Sequence, residues 1–111
     1  MDLIIATKSK VRQRILNCAN IAMIAVPAQI DEDSVTKSLI AEKTMLRDIA
    51  DILAEYKAKK ISIKNLESWV LGCDQILVFE NEVFGKPQNP LILKDMLKRF
   101  SGKTHRLITA N

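Results

Sequence analysis

Residues 69–87, WVLGCDQILVFENEVFGKP, constrain this chain more than any other stretch. Two apolar runs, Val70-Leu71 and Ile76 to Phe79, flank Asp74, and a third, Val83-Phe84, follows a polar pair. Short runs rich in β-branched and aromatic residues and bounded by turn residues read as strands. The pair Asn81-Glu82 is placed to turn the chain back, although the strongest two-residue turns carry glycine there. Gly72 has no side chain, which lets another group come close. Asp74 emerges where the first run stops, and Val83-Phe84 carry Lys86 of Gly85-Lys86-Pro87 towards the same end of the sheet. An acid and a lysine on rigid strands at one sheet end can hold a metal-bound phosphate.

The rest of the chain supplies alternating strands and helices. Leu3 to Ala6 reads as a buried strand, and Val11 to Asn20 as a helix with Ile15, Leu16 and Ala19 on one face. Ser9 or Thr7 is its N-cap. A strand entering a polar turn and a helix start makes an anion site, because the first helical N–H groups are unpaired and the dipole favours negative charge. Lys8, Lys10, Arg12 and Arg14 surround that turn, as phosphate partners or as solvated surface charges.

Ile21 to Ile30 reads as a second strand, with Pro27 marking an edge or its end. Asp31-Glu32-Asp33 then matches a helix start that exploits the dipole, capped by Asp33 or Ser34, with a metal or substrate role as the alternative. From Val35 to Lys60, Leu39, Leu46, Ile49, Leu53 and Tyr56 make one apolar stripe, on one long helix or two shorter ones. Asn89-Pro90 starts a last helix and Ser101-Gly102 stops it. Thr104 to Ala110 closes the chain as a strand. The order predicts one layered α/β domain with a mixed sheet.

Composition narrows the partners. With 111 residues and 48% apolar content the chain can bury a modest core. A net charge of +4, with lysines scattered and not interleaved with aromatics, argues against a nucleic-acid polymer and suits an anionic small substrate. Cys18 and Cys73 lie too far apart for a metal-ligand spacing and are expected as buried reduced thiols. One histidine makes a zinc site a poor fit. No apolar run reaches the ~20 residues that span a bilayer, and the start is not that of a signal peptide, so a cytoplasmic protein without membrane contact is expected.

Laid side by side, these segments resemble the N-terminal part of the Maf family, nucleoside triphosphate pyrophosphatases similar in fold to the inosine triphosphatases. LIIATKS with Arg12 and Ile15-Leu16 resembles the opening strand, Ser-rich loop and following arginine. VPAQIDED resembles the acid after the second strand, and LAEYKA the helix that carries a lysine. VLGCDQILVF resembles the strand presenting the catalytic aspartate, with FGKP and FSGKTH completing the order. The resemblance covers nearly all of this chain but only somewhat more than half of a typical member. The expectation is therefore a layered α/β/α fold with its C-terminal part absent, leaving a sheet edge that invites a homodimer or aggregation.

The resemblance implies roles residue by residue. Asp74 would accept the proton of the attacking water. A carboxylate near pKa ~4 is a poor base for bulk water, and a divalent cation, Mg²⁺ or Mn²⁺ held by Glu32 and Asp74, would acidify it. Arg12, Lys57 and Lys86 would neutralise phosphate oxygens, and Thr7 and Ser9 would contact phosphate at the helix start. The products would be a nucleoside monophosphate and pyrophosphate. Val11 and Gln75 occupy the positions that mark substrate branch. The dTTP/UTP-type members usually have arginine and threonine there, and Gln75 resembles the 7-methyl-GTP branch, whose members tend to have tryptophan where Val11 sits. A competing reading is a catalytically impaired member that only binds nucleotide or serves as an interaction module. Septum formation, a role attached to the family by name, is visible in none of these residues.

Overall fold

The structure, a computed structural model, describes residues Met1–Asn111. Strand β1 (Leu3–Ala6) leads into helix α1 (Lys10–Cys18), followed by a short strand β2 (Ile24–Ala25). Helices α2 (Glu32–Ala41) and α3 (Leu46–Ser62) come next, then strands β3 (Trp69–Gly72), β4 (Asp74–Phe79) and β5 (Glu82–Phe84). Helix α4 (Pro90–Phe100) and strand β6 (Arg106–Ala110) end the sequence. The predicted mixture of strand directions is realised as two three-stranded sheets. One is parallel in the order β2-β1-β3, the other antiparallel in the order β5-β4-β6. The chain passes from one to the other through Cys73 alone.

Helix α3 is the element both sheets share. It packs on β1 and β3 of the first sheet and on β4 and β6 of the second. Its fully buried Ile49 and Leu53 join Leu39, Ile76, Val78 and Ala110 in the main core. Each of the Ile, Leu and Val side chains contributes about 2 kcal/mol on leaving water. A smaller core of Ile4, Ala6, Ala28 and Ile61 lies under the parallel sheet. Helices α1 and α4 bury no residue completely. No helix is long and apolar enough to cross a membrane.

Several boundaries differ from expectation for physical reasons. The second strand is two residues long, not ten, because Pro27 lacks a ladder donor and Gln29 takes φ 54°. The 35–60 segment is two helices, since Lys43 at φ 60° ends α2 in a left-handed turn. Asp31, and neither Asp33 nor Ser34, caps α2 by accepting from the Ser34 N–H, which leaves Glu32 and Asp33 in the first turn. The stripe omits Tyr56, which is exposed, and buries Lys57 in its place. The hairpin turn is Glu80-Asn81, one residue earlier than Asn81-Glu82, because Phe79 pairs directly with Glu82. Both turn residues have positive φ, 50° and 60°, as a two-residue turn matching strand twist requires. Cys73 is buried but Cys18 is exposed, and both are free thiols.

Candidate active site

Asp74 stands at the first position of β4, where the chain leaves one sheet for the other. The side chain is 3% exposed by residue, so an ionised carboxylate there needs a partner. Lys57 of α3, itself buried, donates from Nζ to Asp74 Oδ1 at 2.7 Å. The same ammonium is 2.6 Å from Glu32 Oε1, at the first turn of α2. One cation thus joins two carboxylates drawn from two other elements. Burial disfavours the charged Lys57, but its hydrogen bonds to Asp74 and Glu32 outweigh that and raise its pKa. Burial also raises Asp74, with the Lys57 hydrogen bond pulling the other way. Both directions fit a site with one more carboxylate than ammonium.

Arg12 meets this cluster at the Cys73 carbonyl. Its Nη1 donates to the Cys73 carbonyl at 3.3 Å, and Lys57 Nζ reaches the same carbonyl at 3.4 Å. Thr7 Oγ1 accepts from Arg12 Nη1 at 3.4 Å and from the Ser9 N–H at 3.1 Å. Ser9, the N-cap of α1, accepts the Arg12 N–H at 3.3 Å. The strand β1, the turn and the start of α1 therefore present a cationic, N–H-rich end beside Asp74, suited to an anion.

The structure brings together Thr7, Ser9, Arg12, Glu32, Lys57 and Asp74. Lys86, after β5, is exposed and forms no ion pair or hydrogen bond. Val11 is 61% exposed at the start of α1. Gln75 donates from Nε2 to Thr109 Oγ1 of β6 at 2.8 Å. Thr109 lines a cleft of 170 Å³ with Arg12, Ile15, Leu16, Cys73 and Asn111. A larger cleft of 260 Å³ between α2 and α3 contains none of the candidate residues. The sequence reading missed the Cys73 carbonyl and Thr109. A carbonyl has no residue letter, and Thr109 is tied to Gln75 only by the β4–β6 register.

Glu32 and Asp74 are hard oxygen donors of the kind that Mg²⁺ and Mn²⁺ take. No three His, Cys, Asp or Glu side chains gather into a complete cage. The pair fits an ion that keeps waters and takes further ligands from phosphate, as Mg²⁺ commonly does with one or two protein carboxylates.

Curated relatives match over nearly the whole chain. A protein of Ruegeria pomeroyi named nucleoside triphosphate pyrophosphatase is 43% identical over 110 residues, covering 99% of this chain and 55% of its own length. One of the same name from Pelagibacter ubique is 43% identical, covering 98% and 56%. A 7-methyl-GTP pyrophosphatase of Brucella suis is 41% identical, covering 99% and 55%. The chain thus spans about half the length of the curated relatives it matches. The family model described as Maf-like protein matches residues 2–111, and the chain belongs to that family.

Proposed function

We propose that this chain carries the catalytic centre of a nucleoside triphosphate pyrophosphatase, which cleaves its substrate with water to a nucleoside monophosphate and pyrophosphate. The observation that carries the reading is the cluster of buried Asp74 and Lys57 with Glu32, beside the Arg12 end of α1. The relatives' names, nucleoside triphosphate pyrophosphatase and 7-methyl-GTP pyrophosphatase, support the substrate class.

Asp74 takes the proton of the attacking water. Its raised pKa makes it a better acceptor than an ordinary carboxylate, and a rigid strand end holds it in place. Arg12 and Lys57 offset the charge that develops on phosphate oxygens, and the Ser9-capped start of α1 adds N–H donors. Lys86 reaches the phosphates from the loop after β5. A divalent ion, Mg²⁺ or Mn²⁺ on Asp74 and Glu32, supplies water acidification and charge neutralisation when bound. Gln75, steadied by Thr109 at the rim of the cleft, reads the base together with the Val11 position. We place this chemistry in the cytoplasm.

Incubating the purified chain with canonical and modified triphosphates plus Mg²⁺ or Mn²⁺ tests the reading. Pyrophosphate release above an Asp74→Asn control is expected; release equal to that control refutes it. The exposed cleft favours a second reading, in which this chain binds triphosphate without turnover. Calorimetric binding without pyrophosphate release would select it.

A further inference from the structure

Lys57 stands where a bound cation belongs. Its Nζ lies 2.7 Å from Asp74 and 2.6 Å from Glu32, the two carboxylates assigned to the metal. A divalent ion at these same two oxygens would stand ~4 Å or less from the ammonium, and the two cations repel. The oxygens that Lys57 engages are Asp74 Oδ1 and Glu32 Oε1, one from each carboxylate of the pair.

Helix α3 is packed directly against β3 beside Lys57. A Cβ at Gly72 would lie 2.0 Å from the Ala54 carbonyl oxygen and 2.9 Å from Ala58 Cβ, so helix and strand are in direct contact on either side of Lys57. The side chain can move, since lysine carries a compact charge on a flexible four-carbon stem. The Cys73 carbonyl, 3.4 Å from Nζ, lies towards Arg12 and the start of α1. A lone divalent ion entering the carboxylate pair would leave a buried ammonium unpaired, which is costly. A polyphosphate at the Arg12 end would give that ammonium a new anionic partner.

We propose that Lys57 is a resident counter-cation that closes the Asp74–Glu32 pair to divalent ions in the free protein and yields it when a polyphosphate binds. The proposal rests on the assignment of Asp74 and Glu32 as the metal ligands. Metal and polyphosphate then bind synergistically, each raising the other's affinity by the same factor. The free protein holds no ion at its base, and the ion arrives with the substrate.

Two measurements on the 111-residue chain test it. The first follows Mn²⁺ alone by electron paramagnetic resonance of the free ion. Lys57→Gln should bind Mn²⁺ about tenfold more tightly than wild type, while Lys59→Gln, which alters an exposed charge two residues away, should bind as wild type does. Equal affinity in wild type and Lys57→Gln overturns the proposal but leaves the metal assignment standing. The second uses wild type only and stays decisive if circular dichroism shows Lys57→Gln to be unfolded. With ¹³C-labelled lysine and aspartate, the Lys57 Cε signal should shift with Mg²⁺ and inorganic pyrophosphate together and stay fixed with Mg²⁺ alone. Saturation of the Asp74 carboxyl signal by Mg²⁺ alone, with Lys57 unmoved, overturns the proposal. No response of Asp74 to Mg²⁺ with or without pyrophosphate removes the metal assignment and the proposal together.

Discussion

Gly72 and the Ala54 carbonyl touch so closely that a Cβ on Gly72 would sit 2.0 Å from the oxygen. The obstructing atom is helix backbone and cannot rotate away. Gly72→Ala should therefore push α3 off β3 and destabilise the fold by about 3 kcal/mol, the upper range for overpacking. Because Lys57 is three residues beyond Ala54 on α3, the same change should impair the site. Urea denaturation checks the first effect, and a midpoint within error of wild type would contradict the contact.

Asp74→Asn keeps the shape of the side chain and its contact with Lys57 while removing the base. Under the proposed mechanism, pyrophosphate release should fall about a thousandfold, within the range for losing a general base. The far-ultraviolet circular dichroism should be unchanged. A loss of activity smaller than tenfold would move the proton acceptor elsewhere.

Lys57 gives stability a defined alkaline limit. Its folded pKa is raised above the ordinary 10.5, since its bonds to Asp74 and Glu32 outweigh the burial that lowers it. Between those values the folded chain keeps the proton and the unfolded chain loses it. The contribution is therefore fully present below 10.5 and is lost as pH rises through the folded value. Asp74, also raised, has the same sign at acid pH: its contribution is present below 3.8 and lost as pH climbs through its folded value. Urea midpoints at about pH 9 and about pH 11 should fall more in wild type than in Lys57→Gln. An equal fall in both would show that Lys57 is not the group concerned.

Ser9 closes α1 by accepting the Arg12 N–H. Ser9→Ala should cost about 1 kcal/mol of stability, and Ser9→Gly only a few tenths. Because the same turn is proposed to meet phosphate, both variants should raise KM for triphosphate more than they lower kcat. Steady-state kinetics beside thermal melts separate the two effects.

At the hairpin, Asn81 holds φ 60° without being glycine. Asn81→Gly should relieve that constraint and raise stability by about 0.5–1 kcal/mol. The turn joins β4 to β5 at the end opposite Asp74, so pyrophosphate release should not change. A stability gain accompanied by altered activity would show coupling along β4.

Local rules carried the sequence reading far. Ser9, Asn89-Pro90 and Gly102 marked helix ends because capping depends on a few adjacent residues, and each lies where that chemistry put it. Alternation and turn residues marked β1, β3, β4 and β5 for the same reason. Small errors arose where neighbours in space decided: the turn moved to Glu80-Asn81 under the β4–β5 register, and Tyr56 yielded the buried position to Lys57.

The chain's own order of residues thus determined its α/β class, most of its element ends, and the identity of the charged groups worth watching. Only the tertiary structure decided which of them meet. Glu32, Lys57 and Asp74 are far apart in sequence and belong to α2, α3 and β4, and spacing contains no information about their 2.6 and 2.7 Å contacts. Those contacts exist because the Gly72 approach fixes α3 across the junction of the two sheets. The same packing turned the Cys73 carbonyl to Arg12 and Lys57 and left Lys86 exposed, outcomes of long-range burial that no local pattern encodes.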